Sequence, residues 1–207
     1  MQKPADTQYA IHDLLKSRWS PRAFSSQPVK AEDLGSLFEA ARWSPSAGNS
    51  QPWSFVVASQ TNNEAVHQKF VGTMRGRNAA WTKNVPVLVL AVVKLNAEMP
   101  AMNRFAYYDV GQAVAHLTTQ ASALGLYVHQ MAGFDGEQIR QIFEIPAGYE
   151  PITAIAIGYF GDLDDLPPDL REREVQERTR KNFPEFIFSE RWNQPLTLEK
   201  AEVLADI

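Results

Sequence analysis

Apolar residues recur along this chain at spacings that separate helices from strands. Ile11, Leu14 and Leu15 predict a short amphipathic helix over Thr7–Lys16, broken at Ser20-Pro21. Leu34, Leu37, Phe38 and Ala41 fall at three- and four-residue intervals and predict a helix over Ala31–Trp43. Trp53–Ala58 reads as a strand and Glu64–Val71 as a helix. Pro86–Val93 is a continuous apolar run rich in β-branched residues, which marks a buried strand. Arg104–Gly125 reads as one helix, roughly 33 Å long. It is rich in Ala and Gly and nearly apolar all round, so burial on every side is expected, with Gly125 as its stop. Leu126–Met131 then reads as a strand, Gly136–Phe143 as a helix and Ile152–Tyr159 as a strand. Asp162–Asp169 is an acidic turn, and Arg171–Lys181 is dense in charge. Leu196–Ile207 fits no core by its pattern. Strands and helices mix without strict βαβ alternation, which predicts an α+β fold.

Composition narrows this picture. A chain of 207 residues suits a single domain, residues 1–207. Hydrophobic residues make up 44%, enough to build a real core. The formal net charge of −4 argues against a general nucleic-acid surface, which needs excess Lys and Arg. The absence of cysteine removes disulfides, zinc–thiolate sites, iron–sulfur clusters and thiol nucleophiles. Met1–Ala10 is polar, without an apolar signal core, and no long apolar run predicts a membrane span. A cytoplasmic protein is the expectation.

The familiar nucleotide signatures G-x-G-x-x-G and G-x-x-x-x-G-K-[ST] are missing. The four histidines are far apart and show no metal-binding spacing, so no metal site is expected. Four segments remain. In Arg18-Trp19-Ser20-Pro21-Arg22 the proline biases the backbone toward extended geometry. Alternate residues then share a face, and Arg18, Ser20 and Arg22 form a clamp suited to a phosphate. In Ser44–Trp53, small residues let backbone approach a flat ligand. Asn49 and Gln51 can each donate and accept hydrogen bonds, as a pyrimidine-like edge requires. His129–Asp135 runs from strand through turn to helix, with Asp135 placed to cap the helix and the turn's N–H groups open to a ligand. Arg178-Thr179-Arg180-Lys181 is a basic knot in an acidic protein. Taken singly, each segment is also compatible with an ordinary loop or charged surface, and for Arg18–Arg22 alone a solvated loop with scattered arginines is the favoured reading.

Together and in this order, the segments resemble the FMN-dependent nitroreductase family. The likeness rests on SRWSPRAF (Ser17–Phe24), ARWSPSAGNSQPW (Ala41–Trp53), Tyr108-Asp109-Val110-Gly111, GLYVHQMAGFD (Gly125–Asp135) and AIAIGYFGD (Ala154–Asp162). It implies a nitroreductase-like three-layer sandwich, a mixed and mainly antiparallel sheet flanked by helices. It also implies an intertwined homodimer with two interfacial sites for tightly but non-covalently bound FMN. Arg18, Trp19, Ser20 and Arg22 match positions near the ribityl phosphate and pyrimidine side of the flavin. Arg178 and Arg180 match phosphate ligands, with Lys181 an alternative. Pro45, Ser46, Ala47, Asn49 and Gln51 match the stretch that reaches the flavin from the other subunit. Met131, Ala132 and Gly133 match the strand end and backbone near flavin N5. Trp19 departs from the Arg or His of many members, and Ala132 from the Glu of some. A family lysine near the pyrimidine has no secure match in Arg77–Lys83.

The implied activity is two-step reduction, with NAD(P)H as transient donor and nitroaromatics or quinones as acceptors. The flavin carries the chemistry, so no side chain is nominated as catalytic. An enone, a small aldehyde or a halogenated phenol is the alternative acceptor. A flavin-binding carrier or sensor without turnover is an alternative of another class. A non-flavin anion-binding module using Arg18, Arg22 and Arg180 is the third. Phe105, Tyr107 and Tyr108 are candidates for the substrate pocket or, equally, for core packing.

Overall fold

The computed structural model of the chain describes residues 1–198, so the expectation for Leu196–Ile207 falls outside the described residues from 199 onward. By internal contacts the chain forms two units, Met1–Gln176 and Glu177–Ile207. The first contains helices α1 (Asp13–Ser17), α2 (Ala31–Arg42), α3 (Glu64–Gly72), α4 (Asn103–Ala123), α5 (Gly136–Ile142) and α6 (Pro168–Val175). Its strands are β1 (Trp53–Ser59), β2 (Val87–Lys94), β3 (Tyr127–Met131) and β4 (Tyr149–Gly158).

The apolar run of β2 explains the layering. Along the strand, Val87, Val89, Ala91 and Val93 face one cluster, completed by Leu37, Leu117 and other residues of α2 and α4. Leu88, Leu90 and Val92 alternate to the opposite cluster, where Phe70 of α3 and Ile139 of α5 pack. Both faces of the sheet are thus covered by helices, giving the three-layer α+β sandwich. The strands are ordered β1-β2-β4-β3, and the mixed sheet expected is antiparallel at every described pairing. Among the described residues no helix is long and apolar enough to cross a membrane.

The end of α4 follows its glycine. Gly125 adopts φ +71°, Leu126 N–H donates to Ala121 O at 2.9 Å, and Gly125 N–H donates to Ser122 O at 3.2 Å. These two bonds form a Schellman stop. Burial of α4 departs from expectation: Val110, Ala113, Val114, Leu117 and Ala121 face the core, but Gly111 and Ala115 are exposed. The apolar all-round pattern therefore supplies one core face and one smooth outer face. The first helix is also shorter than expected. It starts only at Asp13, capped by His12, whose Nδ1 accepts from Leu14 N–H at 3.2 Å. None of its residues is fully buried, so little apolar packing is available to extend the helix.

In the second unit, Phe183–Glu185 form a 3-10 turn with a reciprocal cap between Asn182 and Glu185. Phe188 bridges Pro195, and its ring lies 5.0 Å from that of Trp192.

Candidate functional site

The segment after α1 is held as a strap along β3. Trp19 is buried, with its ring 5.9 Å from Tyr127 and 5.5 Å from Phe160. His129 Nδ1 donates to Pro21 O at 2.7 Å. Farther along, Phe24 pairs with Phe160 as a β-bridge. With Trp19 and Pro21 fixed inward, Ser20 is left exposed and Arg18 half-buried, and Arg18 Nη1 donates to Ser20 Oγ at 3.3 Å. Arg22 behaves differently from the expected three-way clamp. Its Nη1 pairs with Glu174 Oε2 at 3.0 Å, because a fully buried carboxylate requires a cation. The phosphate-type pair is therefore Arg18 with Ser20, while Arg22 turns to Glu174.

The segment 131–133 leaves β3 directly beyond the strap. Met131 is buried, Ala132 is exposed, and Gly133 packs tightly. Gly133 O accepts from Arg75 N–H at 2.9 Å and from Asn78 Nδ2 at 3.3 Å. A Cβ on Gly133 would fall 2.9 Å from Asn78 Nδ2, so glycine suits this position. Asp135 caps α5 as expected, accepting from the N–H groups of Glu137 and Gln138 and pairing with Arg75 at 2.5 Å. The Gln138 amide first, then Arg75, holds its carboxyl below the usual range.

The segment 45–51 lies elsewhere. It enters β1, the opposite edge of the sheet from β3. With roughly 4.8 Å per strand, three spacings put it on the order of 14 Å away across the sheet. One chain does not bring the two groups together. The loop is instead moored to α4, Ala47 N–H donating to buried Asp109 Oδ2 at 3.0 Å, with Ser44 Oγ 2.7 Å from His116 Nδ1. Pro45, Ala47, Asn49 and Gln51 are exposed and Ser46 half-buried, with Ser46 Oγ accepting from Gln51 N–H at 3.0 Å. Asn49 and Gln51 both adopt positive φ, 55° and 46°, a conformation costly for non-glycine residues. Between this loop and the start of α4 lies a cavity of about 660 Å³, lined by Ala47, Gly48, Lys94, Met99, Phe105 and Asp109 among others. Phe105, Tyr107 and Tyr108 are all exposed, so core packing does not account for them. Tyr107 OH donates to Glu150 at 2.8 Å.

In the second unit Arg178 is half-buried and Arg180 exposed, with Arg180 Nη1 donating to Thr179 O at 2.7 Å. Burial first, and then the Arg180 charge, disfavour the charged form of Arg178.

Sequence reasoning missed Glu174, Asn78 and Arg75. Glu174 is separated from Arg22 by 152 residues and Asn78 from Gly133 by 55, beyond any local spacing rule. A negatively charged residue at the inward position of α6, in register with Leu170, was the one available signal.

The model of the nitroreductase family matches residues 15–159, well over half the chain. The chain belongs to the nitroreductase family. A solved structure described as an oxidoreductase containing FMN is 34% identical, with a TM-score of 0.82, covering 91% of this chain and 96% of its own. An uncharacterized 15.4 kDa protein of Mycolicibacterium smegmatis is 33% identical over 66% of this chain and 93% of its own length. Iodotyrosine deiodinase of Danio rerio is 22% identical over 83% of this chain and 67% of its own. The protein is thus a nitroreductase-family oxidoreductase with the family's α+β fold.

The strap also makes stability depend on pH. Burial pushes His129 below its ordinary value of 6.5, against the pull of the Pro21 carbonyl and of Glu174, and burial pushes His67 down likewise. Between the lowered value and 6.5 the unfolded chain binds more protons than the folded one, so stability rises with pH. The contribution is complete above 6.5 and is lost as pH falls below it toward the folded values. Urea midpoints should fall on acidification through this window, and His129→Gln should flatten part of that fall.

Proposed function

We propose that this nitroreductase-family chain is a homodimeric, FMN-dependent NAD(P)H oxidoreductase that reduces nitroaromatics, quinones or similar electron-poor acceptors. The observation that carries the reading is the strap beside β3, where the Arg18 guanidinium and the exposed Ser20 hydroxyl lie together as a pair suited to an anion. The donor set fits FMN. A guanidinium and a hydroxyl suit a phosphate, and the exposed Ala132 leaves backbone open to a ligand at the end of β3. Arg178 and Arg180 offer the same phosphate chemistry. The FMN content of the relative at 34% identity supports the assignment.

Bound FMN would supply the redox chemistry, hydride transfer between NAD(P)H and the acceptor. The chain's own residues bind and orient. Arg18 and Ser20 would anchor the phosphate, Arg22 would serve the pyrimidine side, and the 131–133 backbone would serve the ring. Pro45, Ser46, Ala47, Asn49 and Gln51 serve the partner's site. Their separation from 131–133 within one chain supports this, as does the exposed Gly111/Ala115 face of α4 beside the loop's anchors. Small residues there permit close packing of a second copy. A cytoplasmic location belongs to the same reading.

Donor and acceptor use one site in turn. Anaerobic stopped flow should therefore show flavin absorbance bleaching with NAD(P)H alone and returning on addition of a quinone. Initial rates should give parallel double-reciprocal lines. Intersecting lines, with no bleaching until both substrates are present, would contradict the reading. The similarity to iodotyrosine deiodinase favours one second reading, reductive dehalogenation of a halogenated phenol. Release of halide in the same anaerobic assay distinguishes it.

A further inference from the structure

We propose that Glu174 is a positioning residue of the flavin site, one that fixes the strap and offsets the charge of Arg22. The inference rests on the flavin reading above. Glu174 lies on α6, beyond the residues matched by the family model, and its side chain is fully buried. Around it, α6 is dense in charge and largely exposed; Glu174 and Leu170 alone are buried in that helix. An apolar residue would serve packing at such a position, because burying a carboxylate is costly unless it is paired. Here it is paired fully. Oε1 accepts from the backbone N–H groups of Arg22 and, at 3.2 Å, Ala23, and Oε2 accepts from the Arg22 guanidinium at 3.0 Å.

The end of α6 is itself held in place. Lys3 Nζ donates to the carbonyls of Glu174 and Gln176 and lies 5.2 Å from the Trp19 ring centroid. The strap is consequently gripped by Glu174 at Arg22 and Ala23 and by His129 at Pro21. That grip aims Arg18 and Ser20 outward together. It also sets the electrostatics: with one of its five N–H donors on Glu174, Arg22 keeps hydrogen-bonding capacity toward a ligand but presents little net charge. Negative charge gained on the pyrimidine side during reduction is then stabilised less than it would be by an uncompensated arginine.

Three variants separate these roles. Glu174→Gln retains an oxygen acceptor for the two backbone N–H groups and removes the charge. It should hold reduced FMN more tightly relative to oxidised FMN by about tenfold, a rise in midpoint potential of about 30 mV for a two-electron couple. The shift should vanish when Arg22→Met is added, since the uncompensated charge is then gone. Glu174→Ala should in addition release the strap, seen in the apoprotein as faster amide exchange at Arg22 and Ala23, a readout that needs no flavin. Wild-type protein that takes up FMN, with a midpoint unchanged in Glu174→Gln, would overturn the electrostatic role. A shift that persists in the double variant would overturn it equally. Unchanged amide protection in Glu174→Ala would overturn the positioning role. Failure of wild-type protein to bind FMN would instead contradict the flavin reading, and the exchange result would still decide the grip.

Discussion

Replacing Arg18 with alanine is expected to weaken FMN binding by roughly tenfold to a hundredfold. A hydrogen bond to a charged group contributes ~1.5–3 kcal/mol, and each 1.4 kcal/mol is a factor of ten. The structure gives a reason why the loss is not shared out. Arg22, the nearest other guanidinium on the strap, is committed to Glu174 and lacks the freedom to replace Arg18 at the phosphate. Arg18 itself is steered by Ser20 Oγ at 3.3 Å, so the ion pair would form with little further ordering of the side chain. Riboflavin, which lacks the phosphate, should lose little affinity in the same variant. Fluorescence titration of apoprotein with both ligands measures the contrast. Equal losses for the two would show that Arg18 does not hold a phosphate.

Gly161→Ala is expected to be the most damaging of the glycine-to-alanine changes. Gly161 N–H donates to Ala23 O at 3.0 Å, and Ser25 N–H donates to Tyr159 O at 3.0 Å, so the end of the strap is laced to the chain after β4. An added Cβ would fall 2.6 Å from both Phe24 O and Ser25 N. Those are backbone atoms within a bridged pair, and they cannot step aside as a side chain can. Overpacking of this kind costs about 3 kcal/mol or more, which at this chain length lowers Tm by roughly 6–12 °C. Because the displaced segment is the strap, FMN affinity should fall with stability. Gly35→Ala in α2 provides the control: its Cβ would meet nothing within 4 Å, so a stability equal to or above wild type is expected. Calorimetry of the two variants side by side decides the matter; a Gly161→Ala melt equal to that of Gly35→Ala would refute the close packing.

Much of this architecture was legible because it is written in local periodicity. The run at Pro86–Val93 announced the doubly covered strand β2, and Gly125 announced the end of α4. The strap was legible in part. Alternation around Pro21 correctly put Arg18 and Ser20 on one face, but it carried Arg22 along with them. The carboxylate that draws Arg22 away comes from α6, and long-range pairing leaves no trace in spacing. The apolar-all-round pattern of α4 predicts burial on every side, whereas Gly111 and Ala115 are exposed in the single chain. Periodicity reports that a face avoids water without reporting which molecule covers it. The same limit applies to the loop at 45–51, whose composition pointed to a flat ligand but whose place at the far edge of the sheet follows only from strand order.

The central claim, an FMN site completed by a second copy of the chain, is tested most directly by measuring mass and flavin content together. Apoprotein saturated with FMN is passed over a sizing column with light-scattering and absorbance detection, and the ligand released by heat is identified by mass spectrometry. The account predicts a particle of twice the chain mass, one FMN per chain, and neither FAD nor covalent flavin. A particle of single-chain mass carrying a full complement of FMN would contradict the shared site. Protein that stays colourless at saturating FMN would contradict the flavin assignment itself.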